Sequence, residues 1–208
     1  MAIAQEVRNA TGCEFCQARK QALSPYHFEG EHRHSNALPE RAVDAVHRVI
    51  TDQNRITRAW IEDNHSHGLT YEHFVELLGI TVIVFSIDEF NRGLGVPLAP
   101  LPHPQPGEPD HYRPADLEQD TGYVPMIRNA GQHGEREAGL WPPGAGFNVV
   151  RALSLVPEAV RAWFGVAAAQ YLAVADMRQF TGDLGRSIDR MQMEIVAGRV
   201  SSYNECFY

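Results

Sequence analysis

The sequence predicts an all-α protein built as two helical repeats on either side of a proline-rich connector. Three observations carry this expectation. Apolar residues recur at helical spacing in both end portions of the chain. The stretch between Val96 and Gly146 holds most of the 13 prolines. An apolar helix leads into Cys-x-aromatic twice, at Val7-x5-Cys13-Glu14-Phe15 and at Val200-x5-Cys206-Phe207-Tyr208, which reads as an internal repeat. The expected division is residues 1–96 for the first repeat, 97–146 for the connector and 147–208 for the second.

Taken in order, residues 2–10 have helical character, and Thr11-Gly12 offers a left-handed stop before a second helix from about Cys13 to Ala22. Ser24 to Ala37 reads as a loop. Pro39 sits at a first helical position and opens a segment with Ala42, Val43, Val46, Val49 and Ile50 on one face. Residues 55–66 form a shorter helix with Ile56, Ala59 and Trp60 inward. Thr70 then caps a long helix to about Arg92, with Leu69 and Phe74 placed as a hydrophobic staple. That helix is apolar almost all round, so it is expected at the centre of a bundle or at a subunit interface. Trp60, Phe85, Phe90 and Trp163 read as core. Helical periodicity returns at Phe147–Leu155, Pro157–Leu172 and Gly185–Val200.

The chain has 208 residues, 44% of them hydrophobic, enough to bury a full core. Its net charge of -8 with only 18 Lys and Arg argues against nucleic-acid binding, which draws on dense positive charge. Leu77–Ile87, the longest apolar run, falls short of the roughly 20 residues a membrane span needs. Nothing near the start resembles a signal peptide, and the expected location is cytoplasmic.

Three cysteines do not suggest a secreted disulfide framework, whereas Cys13-Glu14-Phe15-Cys16 in a reducing compartment points to redox or metal chemistry. Two thiols at a helix start, with Arg19 and Lys20 one turn on, have the setting that favours thiolate. Oxidation to a sulfenic acid would be resolved as a disulfide, and an external dithiol would reduce it. Zinc would need two further ligands, and there is no second C-x-x-C to supply them. His27, Glu29, Glu31, His32 and His34 cluster in one loop, with His65 and His67 at the end of a later helix. The loop cluster reads as solvated polar surface, with His27 as a stand-in base for the thiols. No cofactor and no metal is expected.

Glu194 followed by Cys206 matches the first half of a pattern of Glu, eleven residues, Cys-x-x-Cys, three residues, His. Gly68–Gly79, Asp88–Gly95 and Val150–Val156 are similar to stretches of two-repeat proteins with the same pattern. On these residues the chain resembles the alkylhydroperoxidase D and carboxymuconolactone decarboxylase superfamily, over most of its length outside the connector. The resemblance implies an all-helical fold, homo-oligomers and thiol peroxidase-like or disulfide-exchange activity on a small-molecule peroxide with an external dithiol reductant. By position it makes Cys16 the attacking thiol and Cys13 its resolver, with Glu194 and Cys206 as the second repeat's share of the catalytic set. In the first repeat the family's Glu falls on Met1 and its His on Lys20, so the usual proton relay is missing. In the second, the remaining Cys and His would follow Tyr208. One expectation is therefore a selenocysteine codon at position 209 read as a stop. Alternatives from the same residues are a non-redox decarboxylase-like enzyme and an inactive helical scaffold.

Overall fold

The computed structural model describes residues 1–132, 134–177, 179–204 and 206, with Tyr26 by its backbone only. Among these the chain is mostly helical: α1 Ala2–Thr11, α2 Glu14–Gln21, α3 Glu40–Thr51, α4 Arg58–Ser66, α5 Tyr71–Leu94, α6 Asn148–Arg151, α7 Pro157–Gln170 and α8 Arg190–Tyr203. A two-residue antiparallel pair, Leu117–Glu118 against Met126–Ile127, interrupts the connector.

The ends of the helices follow local chemistry. Thr57 Oγ1 accepts from Trp60 N, which starts α4 later than residue 55. Thr70 Oγ1 accepts from His73 N as expected, and Gly95 ends α5 at φ 69°, a left-handed turn that suits glycine. A reciprocal capping box of Asp189 and Gln192 starts α8 at Arg190 rather than at Gly185. Gly12 departs from expectation: its φ of -108° is not left-handed, and the chain turns into α2 through Cys13 N donating to Ala10 O. The segment 147–155 contains only the single turn of α6.

One core unites α1, α3, α4, α5, α7 and part of the connector, through Val7, Ala10, Val46, Ile61, Phe74, Val75, Ile127, Trp141, Leu155 and Val160. Burying each larger aliphatic side chain stabilises the fold by roughly 1.5–3 kcal/mol before entropic costs. Helix α5 packs against α1, α3 and α7. Its crossing with α7 is close because Gly79 faces Ala159, whose Cβ would lie 2.8 Å from a Cβ on the glycine. Asp88, buried near the end of α5, takes a bidentate pair of hydrogen bonds from Arg8 of α1, both at 2.9 Å.

The connector is not extended throughout. Val124, Met126, Ile127, Leu140 and Trp141 are buried, while residues 97–114 carry no regular structure. Phe90, expected in the core, is 49% exposed, because it stands two positions from the buried Asp88 and so on the other side of the helix. Trp60, Phe85 and Trp163 do pack on the core. Among the described residues no helix is long and apolar enough to cross a membrane.

Candidate metal centre

Cys13 and Cys16 lie together, as the sequence predicts, with Cys13 as the N-cap residue of α2 and Cys16 in its first turn. Both are free thiols and both are buried. Two imidazoles meet them. His32 Nδ1 lies 3.3 Å from Cys16 Sγ and 3.9 Å from Cys13 Sγ, and His47 Nδ1 lies 3.2 Å from Cys16 Sγ. The four ligating atoms all fall within 4.8 Å of one another. A tetrahedral zinc with the usual Zn–S and Zn–N bond lengths would place sulfur and nitrogen about 3.6 Å apart. The three contacts bracket that spacing.

Each side chain arrives from a different piece of the fold. His47 lies on the core-facing stripe of α3 and is fully buried. His32 comes in on the irregular segment after the short turn Pro25–His27. That segment passes directly over Phe15, where a Cβ on Gly30 would fall 2.5 Å from the ring, so any side chain there would push the ring aside. Phe15 then packs edge-on against His32, and the two imidazoles lie with centroids 4.3 Å apart.

Behind each imidazole stands a carboxylate. His47 Nε2–H donates to Glu6 Oε1 at 3.0 Å, and His32 Nε2–H donates to Asp44 Oδ1 at 3.0 Å. With Nε2 protonated, each Nδ1 presents its lone pair toward the sulfurs, the arrangement in which outer carboxylates fix metal-binding histidines. Glu6 is itself buried on α1 and also accepts from Ser35. Asp44 is held by Arg19 at 2.6 Å and by Arg48 at 2.8 Å.

The electrostatics divide the two thiols. Burial pushes Cys13 up, but hydrogen bonds from the Arg33 and Cys16 backbone and from His32 outweigh it and hold the thiol at about 7. Burial, joined by the neighbouring Cys13, pushes Cys16 up to about 12. Burial also lowers His47, against the opposing pull of Glu6, so its ring is neutral as a ligand must be. Asp44 lies below the ordinary carboxylate range: burial works against this, but His32, Arg19 and Arg48 prevail. A bound divalent cation would override the Cys16 shift, since it deprotonates a coordinating thiol.

The other sequence-predicted residues are elsewhere. Glu194 on α8 accepts from Tyr171 Oη at 2.5 Å and pairs with Arg190 at 2.7 Å. Cys206 is exposed, and its sulfur lies 4.0 Å from Asn204 O. Phe207 and Tyr208 of the repeated motif lie outside the described residues. His27 and His34 are exposed. The reading of the histidine loop as solvated surface is therefore corrected for His32, which folds inward on the Gly30 path. The two further ligands that zinc would need, for which the sequence offers no second C-x-x-C, have candidates in His32 and His47.

The linear sequence does not single out His47 or Glu6 as site candidates, yet each leaves a signal. His47 shares a stripe with Val43, Val46 and Ile50, and Glu6 shares one with Ile3, Val7 and Ala10. A polar residue in the apolar stripe of each of two helices requires a buried partner. No family model matches the chain, and neither does any curated protein or solved structure.

Proposed function

We propose that this chain is a zinc protein whose Cys13, Cys16, His32 and His47 hold one ion in a closed, structural site. The convergence of two sulfurs and two carboxylate-backed Nδ1 atoms at tetrahedral spacing carries this reading. All four positions come from the protein, which leaves no open position for substrate and favours a structural over a catalytic role. The ion would tie the α1–α2 corner, the 28–39 segment and α3 together, and its binding free energy would add to folding. Elemental analysis of the purified chain is expected to find close to one zinc per chain. Cobalt substitution is expected to give sulfur-to-metal charge-transfer absorption. A metal-free chain that takes up no zinc in a titration would sink the reading.

The second reading is the thiol chemistry of the resembled superfamily: disulfide exchange or peroxide reduction by Cys13 and Cys16 with an external dithiol, in a homo-oligomer. What favours it is a cleft of about 460 Å³ along Cys13, together with that thiol's position at about 7. His47 and Glu6 would serve as the relay that Met1 and Lys20 cannot provide. It predicts sustained peroxide turnover by metal-free protein, abolished in Cys16→Ser.

A further inference from the structure

We propose that the centre is a peroxide-operated switch, in which oxidation of its two sulfurs to a disulfide expels the zinc. This rests on the zinc reading above. The geometry divides the four ligands into an outer and an inner pair. Cys13 and His32 line the cleft, together with Gly12, Glu14, Phe15 and Glu31, whereas Cys16 and His47 lie behind them. Cys13 has no exposed surface of its own. Beside it in the wall of the cleft runs the stretch Glu31–Arg33, which has neither helix nor strand. A molecule the size of hydrogen peroxide therefore meets Cys13 first.

The Cys13 thiolate attacks one peroxide oxygen. A sulfur–oxygen bond forms, the oxygen–oxygen bond breaks and hydroxide leaves, giving a sulfenic acid. The Cys16 thiolate then attacks the Cys13 sulfur. The sulfur–sulfur bond forms, the sulfur–oxygen bond breaks and a second hydroxide leaves. The two sulfurs lose two electrons, the two peroxide oxygens gain them, and both hydroxides take protons from solvent to become water. Zinc departs as the divalent ion, because two imidazoles are too few ligands to hold it. The sulfurs can close without moving any helix, since the two cysteines occupy the cap and first turn of the same helix. Release unties both imidazoles from the sulfurs, while His32 keeps its hydrogen bond to Asp44 and His47 its hydrogen bond to Glu6.

The test uses the zinc-loaded full chain, hydrogen peroxide and a chromogenic zinc chelator, with peptide mapping of the thiols at each time point. Zinc release and a Cys13–Cys16 disulfide are expected to appear at the same rate, one zinc per peroxide consumed. Cys206→Ser is expected to leave that rate unchanged, and dithiothreitol with added zinc to restore the centre. Zinc retained under excess peroxide overturns the proposal. So does zinc released while Cys13 and Cys16 remain reduced. A variant Cys13→Asp keeps a metal ligand without a thiol, so peroxide-driven zinc loss from it would also count against the switch. Failure of the underlying zinc reading is distinguishable, because it shows as absent zinc before any peroxide is added, and it removes this proposal with it.

Discussion

Helices α1 and α8 make an instructive pair, because each leads toward a cysteine and each carries apolar residues along its length. Helix α1 is packed between α3 and α5, and its stripe Ala4, Glu6, Val7 and Ala10 is buried. Helix α8 buries only Arg190 and Met193, and leaves Met191, Ile195, Val196, Val200 and Tyr203 exposed. The cysteine pair after α1 is met by two histidines from other elements, whereas Cys206 is exposed and, among the described residues, bonds to Ser201 and Asn204 of its own chain end. A similar local sequence thus has different chemical prospects, decided by what packs against it.

The largest effect that would sharpen this contrast is loss of a ligand. Cys16→Ser is expected to lower zinc affinity well beyond the roughly 10–100-fold cost of an outer-sphere change, while Cys206→Ser leaves it untouched. Competition against a chelator of known affinity measures both. Next is Arg8→Ala, which leaves the buried Asp88 carboxylate unpaired and is expected to cost about 3 kcal/mol in denaturant unfolding, tempered by the partial exposure of Arg8. Restoring stability with Asp88→Asn in the same chain would confirm that the unpaired charge is the cause. Glu6→Gln keeps the shape but removes the charge behind His47, and is expected to weaken zinc binding by roughly 10–100-fold.

A pH series on the metal-free chain gives a further and smaller effect. His47 is lowered in the folded state, so as pH falls below about 6.5 the unfolded chain binds the proton first and stability declines. Asp44, also lowered, adds a second loss in the acid range below its ordinary value of 3.8. Denaturant midpoints that stay flat between neutral pH and pH 5 would contradict the buried neutral His47. The smallest effect is expected on α8, where Ile195→Ala at a 71% exposed position should change stability by no more than about 0.5 kcal/mol. Val7→Ala in the core of α1 should cost about 1–2 kcal/mol by comparison. A large effect at Ile195 would mean that α8 is covered in solution.

Much of the helical architecture is legible from the sequence. The Thr70 cap and the long apolar α5 rest on interactions within a few residues and stand as expected, while Pro39 is the N-cap of α3 rather than its first helical residue. The boundaries that differ do so for equally local reasons, such as the Thr57 cap of α4 and the Asp189 capping box of α8. The candidate site was only half legible. Cys13 and Cys16 announce themselves by their spacing, but nothing in a linear reading joins them to His47 or singles out His32 from a loop full of polar neighbours.

The sequence by itself determined most of the segments that become helices and that two thiols stand one turn apart, because capping, periodicity and short spacing act over a handful of residues. Only the tertiary structure decided that those thiols face two imidazoles backed by Glu6 and Asp44. The physical reason is that a metal centre is a set of distances between atoms far apart along the chain. Those distances exist only once α1 and α3 have packed their apolar stripes together, and once Gly30 lets the intervening segment pass over Phe15.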